Sequence, residues 1–232
     1  MKPCINSFWL KIIAIIGMTL NHTAHVFGRG VLGAFYLPFF AAGGLTFPIM
    51  AFLLTEGYKK TSTVKKYALR LLIFGVISLV PFYLAFGFYM LNIMFTLFLG
   101  LVLLIAYDNI KKQPVLFVLI LAAVIAISFY CDWNVLGISI IFLFHRWGGN
   151  PERNKLIKIA PPFLVIVIVM IINNLPRDNL FYFSVSLCVL PLLMLYNNER
   201  GAKGIVPKYF FYGYYPLHLT VLYLINLYLK RG

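Results

Sequence analysis

The chain has 232 residues, of which 62% are hydrophobic and only 11% are charged, and its mean hydropathy is +0.91. This composition excludes an ordinary soluble domain and indicates a protein that crosses a membrane several times. The net charge of +14 does not indicate a nucleic-acid partner, because the basic residues fall in short loops between apolar runs. Three scattered cysteines predict neither a disulfide framework nor a metal site. We expect one integral membrane domain over residues 1–232, with the lipid bilayer as its partner.

Apolar runs separated by turn or charge signals predict an all-α polytopic fold of about nine transmembrane helices. The expected spans are 8–28, 34–57, 67–87, 89–107, 114–131, 133–147, 158–174, 179–196 and 209–229. If these spans alternate in direction, fifteen Lys and Arg residues fall in loops on one side and four on the other. Because cytoplasmic loops carry the excess of basic residues, we expect a cytoplasmic N-terminus in a multi-pass protein of the cell (plasma or inner) membrane.

The first predicted span carries polar residues at a depth where they are costly in lipid: Lys11, Asn21, His22 and His25. Lys11 and His22 are three helical turns apart, which places both on one helical face, about 16 Å apart along the axis. A neutral imidazole can act as a general base near pH 7 or carry an acyl group transiently. His22 is therefore the first catalytic candidate. The alternative is a histidine that is hydrogen-bonded to a neighbouring helix for packing.

Other ionisable residues leave two interpretations open. Lys11 either extends to the cytoplasmic interface or meets an anionic group that enters from the cytoplasm. Glu56 either takes part in function or pairs with a neighbouring basic residue. His218 either completes a polar cluster with the first span or belongs to a kinked packing segment. No zinc spacing, nucleotide-binding fingerprint or Ser-His-Asp order is present in the sequence.

Four segments spread along the chain carry a family resemblance: LKIIAIIGMTLNH (Leu10–His22), TFPIMAFLLTEGYKKTSTVKKYALRLLIFGVIS (Thr46–Ser78), NIMFTLFLGL (Asn92–Leu101) and FFYGYYPLHLTVLYLI (Phe210–Ile225). These segments resemble the TraX family of membrane acetyltransferases. The Phe-Pro…Glu-Gly-Tyr-Lys-Lys block is the most specific part. The broader group of transmembrane acyltransferases shares a first helix with a basic residue, ten intervening residues and a histidine. Lys11 and His22 match that element.

The resemblance implies a transmembrane O/N-acetyltransferase that moves an acetyl group from cytoplasmic acetyl-CoA to an amine or hydroxyl acceptor at the outer face. The family precedent for the acceptor is the N-terminal amine of a pilin-like peptide, and an envelope glycan is the alternative. His22 would deprotonate the acceptor or carry the acetyl group, with Asn21 or His25 orienting its imidazole or stabilising the oxyanion. The implied coenzyme A-binding residues are Lys11, Glu56, Lys59, Lys60, Arg70 and His218.

The sequence departs from the family pattern at two places. Asn21 stands where the family usually has an acidic residue, and residues 43–46 lack the arginine that often precedes the Phe-Pro pair. Two other classes of function stay open beside the enzyme. One is a membrane transporter, in which ionisable residues of the spans line a proton or solute path. The other is a non-catalytic assembly protein.

Overall fold

A computed structural model of the protein describes residues 3–150, 152–173, 175–202 and 204–230. Within these ranges the chain forms helices and two isolated bridges but no strand, so the predicted all-α fold is confirmed. Lys2, Lys203 and Arg231, which contribute to the predicted charge asymmetry, lie outside the described residues.

The helices of the described residues are α1 (Ser7–Leu32), α2 (Tyr36–Ala42), α3 (Thr46–Lys60), α4 (Val64–Ile77), α5 (Leu79–Phe86), α6 (Ile93–Ile110), α7 (Pro114–Ser128), α8 (Asn134–Gly148), α9 (Lys155–Ile159), α10 (Pro161–Ile172), α11 (Arg177–Leu187), α12 (Val189–Met194) and α13 (Ile205–Leu229). Two 3-10 turns, Gly33–Phe35 and Gly43–Leu45, join the first three helices.

Each predicted span coincides with helical structure, but several spans consist of two shorter helices. The second span overlaps α2 and α3, the third overlaps α4 and α5, and the eighth overlaps α11 and α12. The seventh contains α10 and only the last two residues of α9. By length and apolarity alone, two helical stretches of the described chain could cross a membrane, Ser7–Lys60 and Ile93–Ile110. The pair α4 and α5, bent by 42°, makes a third if it counts as one span. The number of nine spans therefore stays a prediction.

The interruption between α2 and α3 has a cause in the sequence. Gly43 and Gly44 stand there, and glycine is among the residues that least favour a helix interior. A Cβ atom on Gly43 would lie 2.5 Å from Cγ of Asn21, and one on Gly44 would overlap the carbonyl oxygen of Tyr182. The two glycines therefore let α1 and α11 approach the turn closely.

The contacts divide the chain into two compact units, which we describe separately. Unit 1 contains residues 1–50, 80–87 and 163–232, and unit 2 contains residues 51–79 and 88–162. In unit 1, α1 packs against α2, the turn at Gly43 and α13, and α11 packs against α2. In unit 2, α6 packs against α4, α7 and α8.

Helix α6 forms the centre of unit 2 because it is apolar on nearly every side, which is typical of a buried helix. Leu99 and Leu103 belong to a buried cluster with Val124 of α7 and Ile138 of α8. The helix begins at Asn92, whose side chain accepts from the Met94 amide and donates to a backbone carbonyl of α4.

Candidate functional site

Helices α1 and α13 of unit 1 run side by side in the same direction. Their side chains meet in the same order along both helices: Lys11 with Phe211, Thr19 with Tyr214, and His22 with His218. The residues of α13 recur every three or four positions, which places them on one helical face. This parallel packing joins two histidines that are 196 positions apart in the sequence.

The imidazoles of His22 and His218 are joined by a hydrogen bond. Nδ1 of His22 lies 2.8 Å from Nε2 of His218, which is a normal distance for such a bond. The ring planes differ by 12°, and the ring centroids are 5.0 Å apart. Because the separation of the nitrogens takes up most of the distance between the centroids, the rings meet edge to edge rather than face to face. The structure thus places His218 in a polar cluster with the first helix.

A second hydrogen bond holds His218 from its other side. Its Nδ1 lies 2.9 Å from the carbonyl oxygen of Tyr214, one turn earlier on α13. The phenol of Tyr214 lies 2.8 Å from the hydroxyl of Thr19, which itself donates to the carbonyl of Ile15. Since the hydroxyl proton of Thr19 is used on Ile15, the Tyr214 phenol is the donor to Thr19. Hydrogen bonds therefore hold the side chains of both Thr19 and Tyr214, which flank the histidine pair.

Aromatic rings surround the histidine pair. Phe86 contacts His22 with 5.1 Å between ring centroids and contacts His25 with 5.8 Å. The ring centroids of Tyr215 and His22 are 6.1 Å apart, and His218 is only 6% exposed. A largely apolar wall strengthens the hydrogen bonds inside it, because few water molecules compete for the polar atoms. His25 is exposed and shares the Phe86 ring with His22.

Asn21 is engaged with α2 rather than with the histidine pair. Its buried side-chain amide donates a hydrogen bond of 2.6 Å to the carbonyl of Phe40. The same carbonyl also accepts from the backbone amide of Gly43, the residue that follows α2, so Asn21 adds a second donor at the end of this helix. The observed hydrogen-bond partner of the His22 imidazole is thus His218, whereas the side-chain amide of Asn21 binds the carbonyl of Phe40. The catalytic roles predicted for Asn21 and His25 stay predictions.

Lys11 lies on the same helical stretch as His22. Helix α1 keeps helical backbone angles from Ser7 until Gly28, so the two side chains are separated by three turns, about 16 Å along the axis. The ammonium group of Lys11 lies 5.0 Å from the centroid of the Phe211 ring, which is a cation–π distance.

The remaining predicted cofactor-binding residues belong to unit 2. Glu56 forms ion pairs with Lys59 at 3.0 Å and with Lys60 at 3.3 Å. The guanidinium group of Arg70 lies 5.6 Å from the centroid of the Tyr67 ring. Of the two interpretations left open for Glu56, the structure shows the pairing with neighbouring lysines. Binding of coenzyme A by Lys11, Glu56, Lys59, Lys60, Arg70 and His218 stays a prediction.

A hydrogen-bonded group that the sequence did not predict connects α3, α6 and α8 in unit 2. Asp108 accepts a hydrogen bond of 3.0 Å from Tyr58 and lies 3.0 Å from Nε2 of His145. Nδ1 of His145 is buried and has no hydrogen-bond partner among the described residues. Tyr58 and Asp108 are 50 positions apart, and Asp108 and His145 are 37 apart, so no local sequence pattern predicts the group.

Two members of the histidine site were missed, although the sequence carries a signal for them. Thr19 stands three residues before His22, and Tyr214 stands four residues before His218. Polar residues at these spacings share a helical face with the histidine. Phe86 carries no such signal, because it is one of many apolar residues in its helix.

Comparison with known proteins assigns the chain to a family. A protein-family profile described as "TraX protein" matches residues 7–226. The chain belongs to the TraX family. The match covers α1 to α12 and most of α13, including both histidines of the pair. The family that the four segments predicted is thereby confirmed.

This TraX-family chain is also similar to a curated protein from Dichelobacter nodosus, named "Probable fimbrial assembly protein FimC, serogroup H1". The two sequences are 32% identical over 244 residues, and the alignment covers 97% of each chain. No solved structure matches this TraX-family chain.

Proposed function

We propose that this TraX-family protein is a membrane acetyltransferase in which His22 is the general base or the transient acyl carrier. The observation that carries the proposal is the 2.8 Å hydrogen bond between His22 and His218 inside an aromatic wall. A catalytic imidazole needs a second group that fixes its orientation, and His218 meets this requirement. His25 lies beside the same Phe86 ring and is the candidate for contact with the oxyanion.

The donor is acetyl-CoA, and the acceptor is an amine or a hydroxyl group at the outer face. The fimbrial name of the curated relative favours the N-terminal amine of a fimbrial or pilin-like subunit over an envelope glycan. In direct transfer, the acceptor nitrogen attacks the thioester carbonyl carbon, and the carbon–sulfur bond breaks. His22 takes the proton from the acceptor nitrogen and gives it to the departing thiolate, so that amide and free coenzyme A are formed.

Lys11 suits the anionic part of the donor. It projects from α1 about 16 Å before His22, a distance of the order of an extended pantetheine arm. Its observed neighbour is the Phe211 ring, and no carboxylate among the described residues forms an ion pair with its ammonium group. As the family resemblance implies, the basic residues Lys59, Lys60 and Arg70 of unit 2 would attract the phosphates of the donor from the cytoplasm. The ion pairs of Glu56 with Lys59 and Lys60 reduce their positive charge.

The proposed setting is a multi-pass protein of the plasma or inner membrane with nine spans and a cytoplasmic N-terminus. The long apolar helices support a membrane location. The parallel packing of α1 and α13 supports an odd number of membrane spans. Successive spans alternate in direction, so the first and the last point the same way only when the total number of spans is odd.

Release of free coenzyme A tests the proposal. The purified protein in lipid nanodiscs receives acetyl-CoA and a synthetic peptide with the N-terminus of a fimbrial subunit. Thiol release and peptide acetylation are then measured. We expect His22→Ala to lower the rate by about 100-fold or more. The matched control is His145→Gln, in which a glutamine amide can still donate to Asp108 in unit 2. Equal rates for wild type and His22→Ala would exclude the proposed role of His22.

A second candidate function is non-catalytic assembly of a surface fibre. It is favoured by the name of the curated relative, which refers to assembly and not to a reaction. This alternative predicts that the protein binds the fimbrial subunit with the same affinity in the presence and absence of acetyl-CoA. It also predicts that His22→Ala leaves fibre formation in cells intact.

A further inference from the structure

We infer that His218 is a positioning residue that fixes the tautomer of His22, so that Nε2 of His22 is the nitrogen that reacts. The catalytic meaning of this inference rests on the proposed acetyl transfer. The tautomer itself rests on the hydrogen bonds of α1 and α13 alone.

The positions of the protons follow from the end of the hydrogen-bond chain. The carbonyl oxygen of Tyr214 can only accept a hydrogen bond, so Nδ1 of His218 must carry the proton in their 2.9 Å contact. A neutral imidazole has one protonated nitrogen, so Nε2 of His218 is a bare acceptor. Across the 2.8 Å contact, Nδ1 of His22 must therefore donate. This leaves Nε2 of His22 unprotonated, which is the state that a base or nucleophile requires.

The bare nitrogen of His22 is also open to a reactant. Among the described residues, Nε2 of His22 has no hydrogen-bond partner. It is also absent from the set of polar side-chain atoms that are both fully buried and unpartnered, so it is accessible. His22 as a whole is only partly buried, whereas His218 is buried. One imidazole therefore faces the reactant, and the other acts only through the first.

The same chain accommodates a proton taken up during the reaction. When Nε2 of His22 accepts a proton, the ring becomes an imidazolium that still donates from Nδ1 to His218. The Nδ1 proton can shift to Nε2 of His218, which then carries the charge while Nδ1 of His218 continues to donate to the carbonyl of Tyr214. Sharing one positive charge between two rings lowers the cost of forming it in an apolar surrounding.

Removal of His218 would remove the hydrogen bond that favours one tautomer of His22 over the other. A fraction of the protein would then carry the proton on Nε2, where it blocks attack. The loss would appear in kcat, because both ring nitrogens of His218 are bonded within the protein, to His22 and to the carbonyl of Tyr214. If His218 instead bound coenzyme A, as the family resemblance implies, its removal would raise KM for acetyl-CoA. A glutamine at position 218 would restore selection, because its side-chain oxygen can accept from Nδ1 of His22.

Nitrogen NMR of the whole protein in nanodiscs tests the tautomer without any reaction. The chain has four histidines, so single variants assign every signal after labelling with ¹⁵N-histidine. We expect wild-type His22 at neutral pH to show a protonated Nδ1 and a bare Nε2. We expect mixed tautomers in His218→Leu and the wild-type pattern in His218→Gln. A wild-type signal from protonated Nε2 of His22 would overturn the inference, even if both variants fail to fold.

Steady-state kinetics then separate this inference from the proposed function. We expect His218→Leu to lower kcat by about 10- to 100-fold with little change in KM for acetyl-CoA, and His218→Gln to recover most of the loss. Equal kcat for His218→Leu and wild type would overturn the positioning role. If the NMR pattern holds but the wild type transfers no acetyl group, the tautomer assignment stands and the proposed function fails.

Discussion

Single residues of α1 serve two different neighbours. His22 faces α13 and meets a side chain, whereas the adjacent Asn21 faces α2 and meets a backbone carbonyl. The difference follows from helix geometry, since successive residues project about 100° apart. Asn21 suits its neighbour because an amide can donate to a carbonyl and a carboxylate cannot. The amide that departs from the family pattern therefore has a structural explanation in this chain.

This explanation predicts the effect of an acidic residue at position 21. Asn21→Asp replaces a buried donor by a carboxylate that faces the carbonyl of Phe40, so we expect a loss of about 1–3 kcal/mol at neutral pH. Thermal unfolding in detergent would measure the change. We expect recovery at acidic pH, where the protonated carboxyl can donate. The matched control is Asn109→Asp, because the exposed Asn109 amide also donates to a carbonyl. Equal losses in both variants would contradict the explanation.

A second prediction at this scale concerns Asp132, in the turn between α7 and α8. Burial raises the pKa of its carboxyl from 3.8 to about 6. The folded state thus favours the neutral form, and this contribution to stability is present below about pH 4 and lost as the pH rises through 6. We expect Asp132→Asn to stabilise the protein at pH 8 by up to about 3 kcal/mol, and far less near pH 4. Unfolding midpoints at both pH values measure this, and a pH-independent difference would refute it.

At the scale of elements, the first helix and the broken second span depend on close approach. A Cβ atom on Gly17 would lie 2.6 Å from the carbonyl oxygen of Ala42. Thr46, at the start of α3, donates to the carbonyl of Ala14 at 3.1 Å. The small residue and the hydroxyl together let two backbones meet, as is common where membrane helices pack.

This close approach gives glycine substitutions opposite effects on two helices. We expect Gly17→Ala to destabilise the protein by about 1–3 kcal/mol, because the added methyl group meets a backbone oxygen that cannot rotate away. Gly213 of α13 has open space around its Cβ position. We therefore expect Gly213→Ala to leave stability unchanged or to raise it by up to about 1 kcal/mol. Unfolding midpoints of the two variants would decide, and equal shifts would contradict the packing argument.

The sequence predicted the helices better than their interruptions. Each predicted span coincides with helical structure in the described residues, and the glycines at 43 and 44 explain one break once the structure is known. The sequence did not predict the break between α2 and α3, because glycine is tolerated in membrane helices and the surrounding residues are apolar. The bend between α4 and α5 lies at Ser78, three residues before Pro81, and a proline disturbs the helix in the turn that precedes it. The prediction treated Pro81 as tolerated inside one span. Span prediction averages hydropathy over many residues, so it does not detect the loss of a few backbone hydrogen bonds that interrupts a helix.

At the scale of the whole molecule, the candidate site was predicted in part. The position of His22 followed from one helix, because a costly polar residue in lipid needs a reason. Its partner His218 was considered, but the bond itself needed the parallel packing of α1 and α13, which no local pattern encodes. The group of Tyr58, Asp108 and His145 was not predicted either, because its hydrogen bonds depend on how α3, α6 and α8 pack.

The parallel packing predicts opposite membrane sides for two positions in unit 1. Cys4 precedes α1 and is exposed, and Lys230 follows α13. In Cys188→Ala cells, we expect a membrane-impermeant maleimide to label Cys4 only after permeabilisation. With Lys230→Cys added, we expect labelling in intact cells as well. Cys131 is buried and can stay in place. Labelling of both positions from one side would contradict the predicted topology.

The histidine pair has a consequence for the order of events during synthesis. His22 enters the membrane early, but its partner is translated 196 residues later. Until α13 leaves the ribosome and finds α1, the first helix has a polar imidazole in lipid with no fixed acceptor. Contacts between such distant residues form slowly, since a long loop must close first. A newly made copy therefore reaches the full rate of the proposed activity only when α13 docks against α1.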